Sequence, residues 1–567
     1  MHVSPIEESW RRIDSWLATH APHTFSSLRP PASQEAISAA ATELGVEFPA
    51  DLVAYLRHHD GVSPGERGFV SPEEGGFSFP GFEPYTLAQI LSSGRSHQES
   101  WARHEGDPLM EGFWHHDFVP FARNYSADGL VVDCRQGESF GAVGHQHEAE
   151  GVSFGEWGSL AAFLEQVADS LEGGTVMTVG LSYVPVVDDG MLLWEYAPER
   201  RVEPRSLFDL ALADPVTAAP RRTTSHATPN KPWPSSGYDN FCLTFAQDLD
   251  ETELLRRFGA LPETRHPRWR EEKEIPDHQR QDPRVLLPVV RVGTHGGWAF
   301  GIEEGLHLFE GTREEVLRRA SRGTRAVSVT MQGESGPIAV SLFDNGELVT
   351  RYDTRSVVPH GPRDPFEVFP GLPTPPGQEP TPQQWQERLM AVCDALVRRC
   401  GIPLPPPGLD GELDSARILP LLPDNNFGLP EHNFKTPVPD RFASLVDAAT
   451  PERLRRVLAK QMSSLAAETG LDTYDEVTAA LSLLSAGAHP GITDDSALDL
   501  RLRRVHAEAQ VIFAEWKDRS VWQDRAMAAR ALADALNLSA RESLGLVVGC
   551  RQAPRWRQEF RKQLTSD

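Results

Sequence analysis

The spacing of apolar residues changes twice within residues 1–175, and this change limits the folds open to them. Segments beginning at Ser4, Ser33 and Leu44 carry apolar residues three and four apart, as on one face of a helix. Strand-like runs follow, "FVPFA", "GLVVDCR" and "SFGAVGHQHE", separated by turn sequences. Helical spacing returns after Ser159, which suits a helix N-cap. Helices, then antiparallel strands, then a helix predict an α+β domain.

The spacing of apolar residues also divides the rest of the chain into segments. "YVPVV" and "MLLWEY" predict a hairpin, and "IAVSLF-DNG-ELVTRY" is the clearest hairpin signal in the sequence. Apolar stripes of helical period predominate from Pro437 onward and predict an all-α bundle. We therefore predict a multidomain protein with an α+β domain at 1–175, a hairpin and short extension at 176–215, a linker at 216–237, a second α+β domain at 238–368, a Pro-rich connector with one helix at 369–435, and a helical domain at 436–567.

The negative charge is concentrated at the N-terminus. The chain has a formal net charge of -26, and residues 1–175 hold 26 acids against 9 arginines and no lysine, a balance of -17. Residues 441–567 hold 17 acids and 18 bases, a balance of +1. An acidic domain repels nucleic acid and attracts basic proteins, so no nucleic-acid partner is expected for it. Solubility alone explains the charge equally well.

Other bulk features narrow the class of protein. No stretch approaches 18 uninterrupted apolar residues, and the N-terminus lacks the apolar segment of a signal peptide. The cysteines are odd in number and never spaced as Cys-x-x-Cys, so neither a disulfide framework nor a zinc ribbon is indicated. We expect a soluble, cytoplasmic protein that binds no membrane.

The segment "LGVEFPADLVAYLRHHDG" ends in His58, His59 and Asp60, residue types that bind metals or move protons. The spacing predicts a helix that Pro49 begins and Gly61 ends. Consecutive helical residues point about 100° apart, so these three side chains could meet at one ion only if the helix unwound. The pattern predicts a structural helix end.

Three matches to Gly-x-Ser-x-Gly raise the question of a nucleophilic serine. A nucleophile elbow needs a strand before the serine and a helix directly after it. Ser63 follows a helix and Ser139 lies between strands. Ser153 follows a strand, but the next helix begins only at the Ser159 cap. The sequence therefore predicts no catalytic residue.

His145 and His147 are better metal candidates, because residues i and i+2 of a strand share one face. "WHHDF" could place His115 and Asp117 together as well. No closed ligand set is visible, and no nucleotide, metalloprotease or calcium-loop motif occurs. We expect neither a metal nor a cofactor.

The terminal run "RQAPRWRQEFRKQ" carries five basic residues around Trp556. It is compatible with an anion or nucleic-acid patch, but a solvated helix face is the favoured interpretation.

Three long segments together resemble the SUKH superfamily, which includes the yeast cell-wall-assembly regulators of the Smi and Knr type. They are "LRPPASQEAISAAATELGVEFPADLVAYLRHHDG", "FVPFARNYSADGLVVDCRQGESFGAVGHQHEAEG" and "WGSLAAFLEQVADSLE", preceded by "WRRIDSWLATH". The resemblance covers about 5–173, and the loop at roughly 62–113 shows no match. The matching features are Trp10, Trp16, Pro31, Ala32, Ile37, Leu44, Gly45, Pro49, His59, Asp60, Gly61, Asp133 and Trp157.

The resemblance implies an α+β domain without a catalytic constellation. Many bacterial members act as immunity proteins that bind and neutralise toxins, so the resemblance also implies a protein partner. Residues 239–365 are similar to an uncharacterised domain common in high-GC bacteria, through "DNFCLTFAQDLDETELLRRFGA", "GGWAFGIE" and "LRRASRGTRAVSV". This second resemblance implies no activity.

We therefore expect a non-enzymatic protein-binding module of toxin-immunity or defence type, whose acidic N-terminal domain binds a basic toxin or effector. The residues expected to meet this partner are the loop carboxylates and two aromatic anchors, namely Glu73, Glu74, Glu105, Asp107, Trp114 and Tyr125. Two alternatives stay open. One is a multidomain regulator or scaffold, and the other is a hydrolase that uses Ser153 or a metal at His145 and His147.

Overall fold

The computed structural model describes most of the chain. The described residues are 5–63, 76–103, 113–124, 128–147, 150–197, 240–269, 287–304, 309–333, 337–354, 361–374, 380–402, 404–422, 437–511 and 516–566, without the side chains at 269, 382 and 510–520. None of the described helices combines the length and the apolar character that crossing a membrane requires.

The chain forms two compact units that do not follow chain order. Unit 1 comprises Met1–Val202, Asp440–Ala448 and Arg551–Asp567, and unit 2 comprises Glu203–Pro439 and Ala449–Cys550. Both are built from helices and sheets, so the predicted α+β, multidomain class with a helical C-terminal region is confirmed. The range 436–567 contributes to both units. The sequence-based domain boundaries stay predictions, and the linker at 216–237 lies outside the described residues.

Unit 1 begins with helices and continues into an antiparallel sheet, as the change of period predicts. Its five-stranded sheet has the order β1-β2-β3-β4-β5, and one core holds Trp10, Tyr55, Phe121, Leu130 and Phe163. The elements are α1 (Pro5–His20), α2 (Pro22–Ser27), α3 (Gln34–Leu44), α4 (Ala50–Leu56), β1 (Glu83–Pro84), α5 (Leu87–Arg103), β2 (Phe118–Arg123), β3 (Gly129–Asp133), β4 (Val143–His147), β5 (Gly151–Trp157) and α6 (Leu160–Gly173).

Local caps explain where these helices begin and end. Ser33 and Ser159 each accept a hydrogen bond from a backbone N–H in the first turn, as expected of N-cap serines. Gly45 ends α3 in the left-handed conformation, with φ 70°. Ser4, the predicted cap of the first helix, lies outside the described residues.

Helix α4, the third helix of the sequence prediction, is shorter than its apolar spacing predicts. It spans Ala50–Leu56, and Arg57 is its C-cap. Gly61 therefore does not cap it, and that prediction was wrong. Gly61 has φ +66°, and a Cβ there would lie 2.5 Å from the carbonyl oxygen of Tyr85, so glycine is needed for close approach to another segment. The periodicity continues past the helix end because His59 still faces the core side.

A second sheet and two remote helices complete unit 1. Strands β6 (Met177–Val179), β7 (Leu181–Asp188) and β8 (Met191–Tyr196) form a three-stranded antiparallel sheet, which confirms the predicted hairpin. Met177, Val179 and Leu192 belong to the same core as the first domain. Helices from the C-terminal part of the chain, Asp440–Ala448 and Trp556–Thr565, pack on each other through Phe442 and Phe560, with ring centroids 5.0 Å apart.

Unit 2 is organised around an eight-stranded antiparallel sheet of order β10-β16-β11-β12-β9-β13-β14-β15. The predicted hairpin is present, and its turn residues Asn345 and Gly346 both have positive φ. The strands are β9 (Asn240–Gln247), β10 (His266–Trp269), β11 (Val289–His295), β12 (Trp298–Glu304), β13 (Arg325–Gln332), β14 (Ile338–Asp344), β15 (Glu347–Asp353) and β16 (Glu412–Arg417). The last strand comes from the predicted connector, and its polar sequence "ELDSAR" gave no strand signal.

The helices of unit 2 lie against this sheet and in the C-terminal region. They are α7 (Glu251–Phe258), α8 (Glu314–Ala320), α9 (Pro365–Val368), α10 (Pro382–Cys400), α12 (Pro451–Thr469), α13 (Asp475–Ser485), α14 (Ala497–Val511), α15 (Trp516–Asn537) and α16 (Ala540–Gly549). The labels α11 and α17 denote Asp440–Ala448 and Trp556–Thr565 of unit 1. Short 3-10 turns occur at Pro262–Thr264, Glu310–Thr312 and Leu471–Thr473.

Candidate functional site

Five of the six residues predicted to meet a partner lie outside the described residues. They are Glu73, Glu74, Glu105, Asp107 and Tyr125. Their role stays a prediction.

Trp114 is described, and it lies inside unit 1. Only 6% of its surface is exposed, and it packs with Phe118 and Val131 on the sheet face opposite the main core. His97 of α5 stacks on its ring, with centroids 4.1 Å apart. Burial lowers the pKa of His97. A side chain covered in this way shapes the neighbouring surface and offers a partner little contact area of its own.

Ser153 does not sit at a strand-to-helix turn. It lies within β5, a strand that the sequence interpretation missed, and six residues separate it from the start of α6 at Leu160. Its hydroxyl is exposed and donates to the backbone oxygen of His145 over 3.4 Å. Among its described contacts there is no base that could remove its proton. The geometry agrees with the prediction that this serine is no nucleophile.

His145 and His147 do share a face of β4, as predicted. Their ring centroids lie 4.0 Å apart, and His147 Nδ1 is 3.9 Å from an oxygen of Asp128. Burial, followed by repulsion from His147, lowers the pKa of His145 to about 4. Within the described part of the chain, this pair does not belong to a group of three possible metal ligands.

Two groups of three possible ligands do occur among the described residues. His115, His116 and Asp117 are consecutive in one turn, and His116 is 58% exposed. The second group, which we call the Asp14 cluster, consists of Asp14, His58 and His59.

The Asp14 cluster joins two elements of unit 1. Asp14 lies on α1, and the histidines follow the end of α4. His58 Nε2 lies 2.9 Å from Oδ2 of Asp14, and His59 Nε2 lies 3.0 Å from its Oδ1. Burial raises the pKa of Asp14, but the hydrogen bonds with His58 and His59 outweigh it, so the net pKa is lowered. The expectation that a helix continues through the histidines was wrong, because the helix has already ended at Leu56. The two rings can therefore meet the same carboxylate.

Asp60, which follows the two histidines in the sequence, is not part of the cluster. Its Oδ1 accepts a hydrogen bond of 2.6 Å from the backbone N–H of Leu87 at the start of α5. Sequence reasoning missed Asp14 because it lies 44 residues before His58. One signal was available: Asp14 follows Trp10 by four residues, which places a carboxylate beside the buried stripe of α1.

Two of the C-terminal arginines form ion pairs with buried carboxylates. Glu195, which is buried, lies 2.7 Å from Arg557 Nη1 and accepts a hydrogen bond from the backbone N–H of Arg555. Asp188, also buried, lies 3.3 Å from both Arg441 Nη1 and Arg561 Nε. The side chains of Arg555 and Lys562 are exposed, so the solvated-face interpretation fits only part of this run. The sequence did not reveal these contacts because the two carboxylates, on the β7–β8 hairpin, lie more than 350 residues before Arg555 and Arg561 in the chain.

Comparison with known families agrees with this architecture. Residues 31–166, which hold α3 to α5, the five-stranded sheet and the first half of α6, match the SMI1 / KNR4 family (SUKH-1). The chain carries a SUKH-1 domain. His58 and His59 lie inside the matched range of the SUKH-1 domain, and Asp14 lies before it. Residues 231–372 match a second family, described as a family of unknown function (DUF6461).

Curated relatives of the SUKH-1 domain are fungal. The chain is 42% identical over 59 residues to a KNR4/SMI1 homolog of Eremothecium gossypii, covering 10% of this chain and 9% of that protein. It is 32% identical over 90 residues to the cell wall assembly regulator SMI1 of Saccharomyces cerevisiae, covering 16% and 17%. The chain thus spans less than a fifth of the length of these relatives.

Proposed function

We propose that the SUKH-1 domain is a non-enzymatic protein-binding module of toxin-immunity or defence type, which binds a basic protein. The observation that carries the proposal is the charge balance of -17 over residues 1–175. A field of this sign concentrates basic proteins near the surface and raises their rate of association.

Two arginines of unit 1 form ion pairs within the unit, which supports this proposal. Arg12 of α1 binds Asp169 and Glu172 of α6, at 2.6 and 2.5 Å. Arg135 binds the buried carboxylate of Asp133 at 2.7 Å. Several acids are exposed, namely Glu138 and Glu150 in turns, Glu156 on β5 and Glu165 on α6. The charges of Arg12 and Arg135 are thus paired, while these four carboxylates face the solvent.

Partner choice in this proposal rests on the four loop carboxylates Glu73, Glu74, Glu105 and Asp107. They lie within the residues 31–166 that match the SUKH-1 family, and we expect them on surface loops, which commonly carry the specificity of a scaffold.

The test begins by capturing a partner with the full chain and then measures binding kinetics. Replacing the four loop acids by their amides should lower the association rate about tenfold at low salt and change the dissociation rate less. The wild-type association rate should fall as salt shortens the screening length from about 10 Å at 0.1 M. A matched control removes four exposed acids of unit 2, as E347Q, E367Q, E387Q and E412Q, and should leave the rate within about twofold.

Two results would contradict the proposal. One is an association rate that does not depend on salt, and the other is a captured partner that is itself acidic. Either result would indicate that the negative charge of residues 1–175 serves solubility and not partner binding.

A regulator or scaffold is the second candidate, and one observation favours it. The chain joins the SUKH-1 domain to a second family domain and a helical region within one polypeptide. Capture of two different proteins at once by the full chain would support the scaffold, and capture of one secreted toxin encoded by a neighbouring gene would support immunity.

A further inference from the structure

The Asp14 cluster brings two imidazole nitrogens and one carboxylate to one point of unit 1. The three ligand atoms lie within 4.8 Å of one another. The side chains of Asp14, His58 and His59 retain 23%, 26% and 15% of their exposure, so a small ion and a water molecule can reach them.

The backbone after α4 holds the two rings in place. The amides of both His58 and His59 donate to the carbonyl oxygen of Tyr55, and this tight turn aims both side chains toward α1. Trp10 then supports both rings. It stacks parallel to His58, with centroids 5.7 Å apart and an interplanar angle of 4°, and meets His59 edge-on at 5.1 Å. The ligands are therefore positioned before any ion arrives.

The contacts of His59 indicate that positive charge belongs at this point. Its Nδ1 lies 2.9 Å from the carbonyl oxygen of Arg29, and its Nε2 lies 3.0 Å from Oδ1 of Asp14. A neutral imidazole has one N–H, and the backbone carbonyl can only accept, so Nδ1 carries the proton. The lone pair of Nε2 then faces a carboxylate oxygen. That arrangement is favourable only if a cation, either a second proton or a metal ion, lies between them.

We propose that Asp14, His58 and His59 bind one Zn²⁺ ion, with water as the fourth ligand. Two imidazoles and a carboxylate are a donor set that zinc accepts in tetrahedral geometry. Ligand atoms about 2.0–2.1 Å from a tetrahedral ion are about 3.3 Å apart. The two histidine contacts, 2.9 and 3.0 Å to different oxygens of Asp14, are a few tenths of an ångström shorter, so small side-chain shifts accompany binding. The hydrogen bond from His59 Nδ1 to Arg29 is the outer contact that orients a zinc-binding imidazole.

This site is independent of the proposed partner binding, and the family matches do not assign it. Zinc bound there would join α1, which precedes the SUKH-1 match, to the loop after α4 inside it. The ion would hold these two parts of unit 1 together without requiring any catalytic step.

The test uses the full chain after treatment with a chelator. Calorimetric titration with Zn²⁺ should show one equivalent bound, and D14N and H59Q should each weaken that binding at least about tenfold. The matched control H116Q changes the exposed His115–His116–Asp117 group and should leave Zn²⁺ binding at the Asp14 cluster unchanged. Circular dichroism of each variant checks that the fold is retained.

Two measurements on the wild-type protein keep the proposal testable if the variants fail to fold. Co²⁺ in place of Zn²⁺ should give the intense visible absorption of a tetrahedral site. One equivalent of Zn²⁺ should shift the ¹⁵N resonances of Nε2 in both His58 and His59. The proposal is overturned if Zn²⁺ binds equally to D14N and H59Q, or if no equivalent binds. It is likewise overturned if the His59 ring keeps both N–H protons with Zn²⁺ present, which would identify a proton as the cation.

Discussion

The two units differ in the groups that their arginine side chains contact. In unit 1, buried carboxylates on the β7–β8 hairpin meet arginines from the C-terminal helices. In unit 2, several arginines are buried, and the least exposed of those described is Arg503 of α14. Most of its partners are neutral carbonyl oxygens, namely those of Gly259, Leu419 and Pro420, with Asp495 and Asp499 at 3.4 and 3.3 Å. In both units, segments distant in the chain are held together by contacts of charged side chains.

The difference predicts unequal costs for removing one side chain. When Arg503 is lost, the carbonyl oxygens of Leu419 and Pro420 lose this donor, while that of Gly259 keeps the backbone N–H of Leu419. A carboxylate changed to its amide keeps one acceptor oxygen, loses the charge and replaces the second acceptor by an NH2 group. Unit 2 should therefore be the more sensitive of the two.

The largest effect is expected for R503M in unit 2. Arg503 is 1% exposed, so its removal leaves buried oxygens unsatisfied and should lower the free energy of unfolding by about 3–5 kcal/mol. Scanning calorimetry measures the loss, and hydrogen exchange of the Glu251–Phe258 peptide assigns it to unit 2. The control R322M removes an arginine that is 60% exposed and binds Asp494, and should cost less than about 1 kcal/mol. Equal losses in the two variants would refute the role given to Arg503.

A smaller effect is expected for D188N in unit 1. The amide leaves the guanidinium groups of Arg441 and Arg561 facing a neutral partner, which should cost about 2 kcal/mol. Hydrogen exchange should increase in β7, β8 and the C-terminal helix Trp556–Thr565. The neighbouring D189N is a matched control, because Asp189 is 63% exposed and its φ of 55° suits asparagine; it should change stability by less than about 0.5 kcal/mol. No difference between the two variants would show that the hairpin does not hold the terminal helix through Asp188.

Short-range sequence patterns predicted the local structure well. The Ser33 and Ser159 caps, the Asp344–Gly346 turn and the switch from helical to strand spacing all depend on residues close in the chain. The Asp14 cluster, the arginine contacts of Glu195 and strand β16 depend on residues tens to hundreds of positions apart. A single sequence does not show which distant charges meet, and a polar strand inserted at the sheet lacks the alternation that would reveal it.

The pKa values of two carboxyl groups, one in each unit, are shifted in opposite directions. Their contributions to stability should therefore respond to pH in opposite ways. In unit 1, the hydrogen bonds with His58 and His59 overcome the effect of burial and lower the pKa of Asp14. In unit 2, burial and then repulsion from Glu310 raise the pKa of Glu303 from 4.5 to about 8, although the backbone N–H groups of Glu310 and Gly311 both donate to it. The stability from Asp14 is present above pH 3.8, its unperturbed pKa, and is lost as the pH falls through its lower value in the folded protein.

The last prediction concerns the pH dependence that Glu303 confers on unit 2. Because its pKa is raised in the folded state, its stabilising effect is complete below pH 4.5 and is lost as the pH rises to about 8. The unfolding free energy of unit 2 should therefore fall by at most about 1.4 kcal/mol per pH unit across this window. Calorimetry of the full chain between pH 5 and pH 8, following the transition that R503M lowers, measures the slope. E303Q should flatten it, since its side chain does not titrate, and the exposed control E347Q should leave it unchanged. A slope in E303Q equal to that of the wild type would assign the pH response to another group and would remove this contrast between the units.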